Sequence, residues 1–193
     1  MNGCSSELRL FSLRGRHRAG QESGWRLPNP RDAVAVDAMR SKYAEFMQLH
    51  THEPLTPFAH SAHNRCFGCG QANANGLRLE FLLTSDGAVV SLPVVPEAFE
   101  GHPGYLHGGI IATLLDEAMS KAVRVQGRPS MTRKMEVEYL RPVPSGAPLR
   151  IEGRVVRNEG RKHWTEAVIV DREETALARG KGLFIEIQPK AKQ

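Results

Sequence analysis

Residues 107–119 read HGGIIATLLDEAM, and the reading of this stretch decides the fold. On a helical wheel of about 100° per residue, Ile110, Ile111, Leu114, Leu115, Ala118, Met119 and Ala122 share one arc. That arc covers roughly half the circumference, more than a surface helix needs, so the helix is expected to be enclosed. Two features resist this. Glycine at 108 and 109 lowers helix stability, and the carboxylates of Asp116 and Glu117 are costly in an apolar helix. The two acids fall at opposite margins of the arc. Glu117 sits with Thr113, Lys121 and Arg124 and reads as a solvated polar-face residue. Asp116 sits beside Ala112, Ser120 and Val123 and reads as the carboxylate pressed against a packed neighbour.

The flanking sequence alternates apolar and polar residues, as half-buried strands do. Upstream, 77–83 and 88–94 are strand candidates joined across Asp86-Gly87, a two-residue hairpin signal. Downstream, 132–140, 149–157, 162–171 and 176–187 follow with short separators, which implies antiparallel neighbours. The expected class is α+β: one long central helix wrapped by a curved antiparallel sheet of about six strands. This domain is placed at 61–188. Residues 1–32 read as a disordered tail, and 33–60 as an amphipathic helix and linker.

Composition excludes several classes. A net charge of +5 with only 6% aromatic residues supplies no base-stacking platform, so no nucleic-acid partner is expected. No apolar run reaches the ~18 residues of a membrane span. Three cysteines, an odd and low count, argue for a reducing compartment, and the expected location is cytoplasmic.

Two causes for Gly108 and Gly109 stand open: a tight loop-to-helix turn, or the close approach of a ligand oxygen to the helix-start amides. The second is the requirement of an oxyanion site. Asp116 follows His107 by nine residues, or roughly 13 Å along a helix. One helix cannot aim both at the same carbonyl. A second, antiparallel copy of the helix across a two-fold axis can, so a catalytic version of this motif needs at least a dimer.

These residues carry a resemblance. The segments 101–119 (GHPGYLHGGIIATLLDEAM), 136–146 (EVEYLRPVPSG), 155–169 (VVRNEGRKHWTEAVI) and 66–81 (CFGCGQANANGLRLEF) resemble the hotdog-fold acyl-CoA thioesterases of the phenylacetate-pathway and 4-hydroxybenzoyl-CoA type. The resemblance implies a hotdog fold, a homodimer with a continuous sheet, often a homotetramer, and hydrolysis of an acyl-CoA thioester with no cofactor. It implies that Asp116 is nucleophile or general base, that the Gly109 N–H binds the thioester oxygen, and that His107 shapes the loop. Thr132 corresponds to a hydroxyl near the attacking water. Gly108, Tyr105, Leu106, Phe99 and Met131 are expected to border the substrate, and Arg161 and Lys162 to meet the CoA phosphates. Tyr105 departs from the aliphatic residue common in relatives. The alternative is a non-catalytic acyl-CoA-binding or regulatory protein on the same fold.

Cys66 and Cys69 form a single C-x2-C, which His60, His63 and His102 could complete as a zinc set. A second spaced pair is missing, so loop packing is the expectation and no metal is assigned.

Overall fold

The computed structural model describes residues 55–187. The expected tail at 1–32, residues 33–54 of the expected helix and linker, and residues 188–193 lie outside the described residues. Residues 55–60, at the end of the expected linker, run extended and hold a two-residue strand, β1 (Thr56–Pro57).

The elements that follow are β2 (Leu82–Leu83), β3 (Val89–Ser91), a short 3-10 turn (Glu97–Phe99), β4 (Glu100–His102) and β5 (Tyr105–Leu106). Then come α1 (Gly108–Val125) and four long strands: β6 (Ser130–Tyr139), β7 (Arg150–Glu159), β8 (Lys162–Val170) and β9 (Ala176–Glu186). The main sheet has seven strands in the order β1-β2-β3-β7-β8-β9-β6, every pair antiparallel. The expected helix wrapped by an antiparallel sheet is therefore present, with one strand more than expected. β4 and β5 form a separate two-stranded ribbon that delivers the chain to α1.

The predicted strand 77–83 shrinks to Leu82–Leu83, for a local reason. Arg78 has φ of 50°, outside the extended region, and the amides of Leu77 and Leu79 donate to Phe67 O and Gly68 O. The chain there pairs with the irregular loop 60–76 rather than with a strand. The hairpin at Asp86-Gly87 forms, but through a three-residue loop rather than the expected two: Thr84 N–H donates to Ala88 O at 3.0 Å, and Gly87, at φ of 83°, donates to Thr84 O.

α1 packs on the inner face of the sheet. Leu114, Leu115, Ala118, Met119, Ala122 and Val123 lose all solvent contact, and Val89, Ile151, Ile169, Ala178 and Phe184 meet them from the sheet, with Leu149 just ahead of β7. Each of the larger side chains contributes about 1.5–3 kcal/mol by burial. The helix lies very close to the strands beneath it. A Cβ on Gly153 of β7 would stand 2.5 Å from the Ala118 carbonyl oxygen, and one on Gly180 of β9 would stand 3.3 Å from Leu115 Cβ. Glycine at 153 is thus required by distance, not by dihedral angle. Gly153→Val is expected to lower unfolding free energy by at least the ~1–3 kcal/mol of an overpacked core, read as a lower denaturant midpoint.

Candidate active site

α1 begins with a cap made by its own histidine. His107 is the N-cap residue, with φ −62° and ψ 140°, and its Nδ1 accepts the Gly109 N–H at 2.9 Å. Accepting there leaves Nε2 to carry the ring proton. Ile110 and Ile111 donate to His107 O at 2.9 and 3.1 Å. The Gly108 carbonyl accepts from the Tyr139 hydroxyl at 3.1 Å. The peptide between Gly108 and Gly109 is thereby pinned at both ends. Among the described residues nothing accepts from the Gly108 N–H, so this is the free donor at the positive end of the helix. The sequence reading favoured Gly109, and the missing information was the rotamer of His107.

The ribbon and the 3-10 turn hold this end in place. His107 N–H donates to Phe99 O, Leu106 N–H donates to Val143 O, and a Cβ on Gly101 would be 3.0 Å from His107 Cα. Of the residues expected to border the substrate, Tyr105 and Met131 are exposed, Phe99 is half-buried and edge-on to Phe67, and Leu106 is buried in the core.

Asp116 lies two turns further along, roughly 12 Å from Gly108 at the helical rise. Its Oδ1 accepts from the Thr132 hydroxyl of β6 at 2.8 Å. Burial pushes the Asp116 carboxyl above its ordinary range, the Thr132 hydrogen bond opposes this, and the neighbouring Glu117 adds to it. Met131 and Lys162 both pair with Ile185, so they share the Thr132 end of the sheet. Arg161, also there, donates to Glu186 O at 2.7 Å. Tyr139 and Gly108 mark the other end of β6. Among the described residues, the single chain therefore separates the residues of interest into an amide half and an acid half.

Glu117 is a correction. It is not on a solvated face: it is 8% exposed and Lys121 is 6% exposed. Lys121 Nζ donates to Glu117 Oε2 at 2.9 Å, and the Cys66 thiol donates to Oε1 at 3.0 Å. The loop 60–79 lies over this side of the helix, and it has no periodicity to announce its position. Burial raises the Glu117 carboxyl, but the Lys121 ammonium and the Cys66 hydrogen bond outweigh it, so the net direction is downward. Lys121 moves upward for the converse reason, with the Glu117 charge overcoming desolvation.

The C-x2-C also gathers differently from the expectation. Cys66 Sγ, Cys69 Sγ and a Glu117 carboxylate oxygen all lie within 4.8 Å of one another. His102 is elsewhere, tilted against Tyr105. His60 and His63 line a cleft of about 360 Å³ with the two cysteines, Glu117, Lys121 and Arg124. A second depression of about 650 Å³ lies over the charged residues Glu136, Glu138, Arg154, Glu166, Arg179 and Lys181. Neither holds Gly108 or Asp116. No helix among the described residues is long and apolar enough to cross a membrane.

Residues 103–178 match the sequence profile of the thioesterase superfamily. A solved thioesterase-superfamily protein is 30% identical, with 58% of this chain and 86% of that chain covered and a TM-score of 0.53. Another is 25% identical, with 82% of each chain covered and a TM-score of 0.60. The acyl-coenzyme A thioesterase THEM4 of Xenopus laevis is 34% identical over 91 residues, 47% of this chain and 41% of the relative. The chain belongs to the thioesterase superfamily and has its hotdog fold, as the resemblance implied. It matches less than half the length of the frog relative.

The buried pair gives a stability prediction. Glu117→Gln leaves Lys121 buried without its counter-charge and is expected to cost about 3–5 kcal/mol in urea unfolding near neutral pH. In the wild type the lowered carboxyl contributes stability that is complete above the ordinary glutamate range and is lost as pH falls through its folded value. The raised Lys121 contributes stability that is complete below the ordinary lysine range and is lost as pH rises through its folded value. The Gln variant should lack the acid-side loss that belongs to Glu117.

Proposed function

We propose that the chain hydrolyses an acyl-CoA thioester to a free acid and CoA, in a site built from two subunits. The observation that carries this reading is the unshared Gly108 N–H at one end of α1, with Asp116 about 12 Å away at the other half. Superfamily membership and the acyl-CoA thioesterase activity named for the frog relative support the reaction class.

The edge strand supports the assembly. β6 is ten residues long and, among the described residues, closes the sheet on one side with no neighbour. Met131 is 62% exposed and Tyr139 53% exposed, and an open edge of this length invites a further strand. Antiparallel pairing of two β6 strands about a two-fold near the middle of the strand sets the Thr132 end of one beside the Tyr139 end of the other. It brings Asp116 and Thr132 of one subunit to the Gly108 end of the other. Further association into a tetramer belongs to the same proposal.

In this site the thioester carbonyl oxygen accepts from the Gly108 N–H. Asp116, with Oδ1 held by Thr132, takes a proton from water at its other oxygen. The water oxygen bonds to the carbonyl carbon, and the negative charge that develops on the carbonyl oxygen is held at the helix end. Collapse breaks the carbon–sulfur bond and releases the CoA thiolate, which takes up a proton. His107 positions the amides, and Lys162 and Arg161 offer positive charge to the CoA phosphates. In this reading Tyr105, Phe99 and Met131 border the acyl group, with Leu106 packed behind them in the core. The free thiols of Cys66 and Cys69 suit a cytoplasmic setting.

The test is thiol release from a panel of acyl-CoAs. Asp116→Ala should lose about 10²–10⁴-fold in kcat. Gly108→Pro removes the proposed donor at a helix position, N1, that tolerates proline, and should be comparably inactive. Mixed after joint refolding, the two inactive variants should recover roughly a quarter of wild-type activity, because half the dimers are mixed and each carries one intact site. No recovery would reject the shared site, and acyl-CoA binding without turnover by the wild type would select the non-catalytic alternative.

A second check uses pH. Asp116 must be ionised to act as base, so the acid limb of the kcat profile should lie above the ordinary aspartate range. Thr132→Val removes the hydrogen bond that holds this carboxyl down, and should move the limb to still higher pH.

A further inference from the structure

The loop 60–76 and the buried side of α1 together make a cluster that the proposed hydrolysis does not use. We propose that Cys66, Cys69 and Glu117 bind one divalent, thiol-seeking cation, zinc, and that Lys121 holds the carboxylate from behind. This does not rest on the catalytic reading.

The donor geometry is nearly closed. The three ligand atoms lie within 4.8 Å of one another, and Cys66 Sγ is already 3.0 Å from Glu117 Oε1. Zinc, with bonds of about 2.3 Å to sulfur and about 2.0 Å to oxygen, sets tetrahedral donors roughly 3.5 Å apart. The thiol proton shared between Cys66 and Glu117 stands where the cation would bridge them. The fourth position opens toward the cleft lined by His60 and Ser120 and takes a water.

The surroundings are those of a held ligand set. Asn64 Oδ1 accepts from the Cys66 N–H at 3.0 Å, and Asn64 Nδ2 donates to Cys69 Sγ at 3.4 Å. Gly70 N–H closes the turn onto Cys66 O at 2.9 Å. Gly68, between the cysteines, has no room for a side chain: a Cβ there would be 2.3 Å from Glu117 Cγ. The absence of that atom is what lets the C-x2-C loop rest on the carboxylate. Outer contacts of this kind orient ligands and raise affinity.

Lys121 is the natural objection, since an ammonium already serves the carboxylate. It donates to Oε2, however, while Cys66 faces Oε1. Both can be occupied. The charges agree as well. Two thiols, a carboxylate and an ammonium sum to zero; two thiolates, a carboxylate, an ammonium and a divalent cation also sum to zero. Binding therefore exchanges two thiol protons for one cation and leaves the buried cluster neutral. The soft sulfur pair selects zinc over magnesium or calcium.

The experiment uses the full chain purified without a metal-binding tag. Elemental analysis should find about one zinc per chain. Cys66→Ser and Cys69→Ser should fall to background, and Cys4→Ser should match the wild type. Metal-stripped wild type titrated with Co²⁺ should develop an intense thiolate-to-cobalt charge-transfer band and release about two protons per metal bound. A wild-type protein that carries no zinc after equilibration with zinc salts, and gives no cobalt band, overturns the proposal. So does zinc retained at full occupancy in both serine variants. The wild-type cobalt spectrum decides the question even if a serine variant fails to fold.

Discussion

The near-contact between the backbones of α1 and β7 at Ala118 and Gly153 sets the geometry of everything else. It draws the helix down onto the sheet until Leu114, Leu115, Met119 and Val123 lose all solvent contact. It fixes the depth of the helix, and so the height at which Asp116 meets the Thr132 hydroxyl on β6. Because the sheet claims one side, the other needs its own cover. That cover is the loop 60–76, whose backbone groups bond to one another and to Leu77 and Leu79 rather than to a neighbouring strand.

Adjacent acids on this helix show how position alone separates two chemistries. Asp116 and Glu117 are neighbours in sequence and both are substantially buried, yet their carboxyls move in opposite directions. Asp116 has one neutral hydroxyl to offset desolvation, and the offset is incomplete. Glu117 has a full ammonium and a thiol, and they more than offset it. The first is left without a counter-charge, whereas the second is half of an internal ion pair.

Much of the architecture was legible in the sequence because it is periodic. The alternation in 149–157 and 162–171 and the wide apolar arc of 110–122 each follow from burying one face of a regular element. What escaped was aperiodic. The loop over Glu117 has no repeat to read, so a residue on the polar margin of the wheel looked exposed. The choice between Gly108 and Gly109 depended on a side-chain cap, which two adjacent glycines cannot reveal. The strand at 77–83 alternated correctly, but its partner was the loop, and alternation says nothing about what lies alongside. The link between the C-x2-C and a carboxylate 51 residues away was likewise invisible without the fold.

The peptide between His107 and Gly108, which carries the free N–H and whose oxygen is held by the Ile110 and Ile111 amides, has a consequence for the proposed reaction. Its orientation is set during folding, before any substrate arrives, so no dipole has to turn when charge develops on the carbonyl oxygen. The cost of ordering the donor is met once, at synthesis, rather than in each turnover. A donor fixed in this way reads only the carbonyl, which every thioester shares, and is indifferent to the acyl chain behind it. Selectivity is then free to change through the residues that border the acyl group while the polarising end of the helix stays as it is.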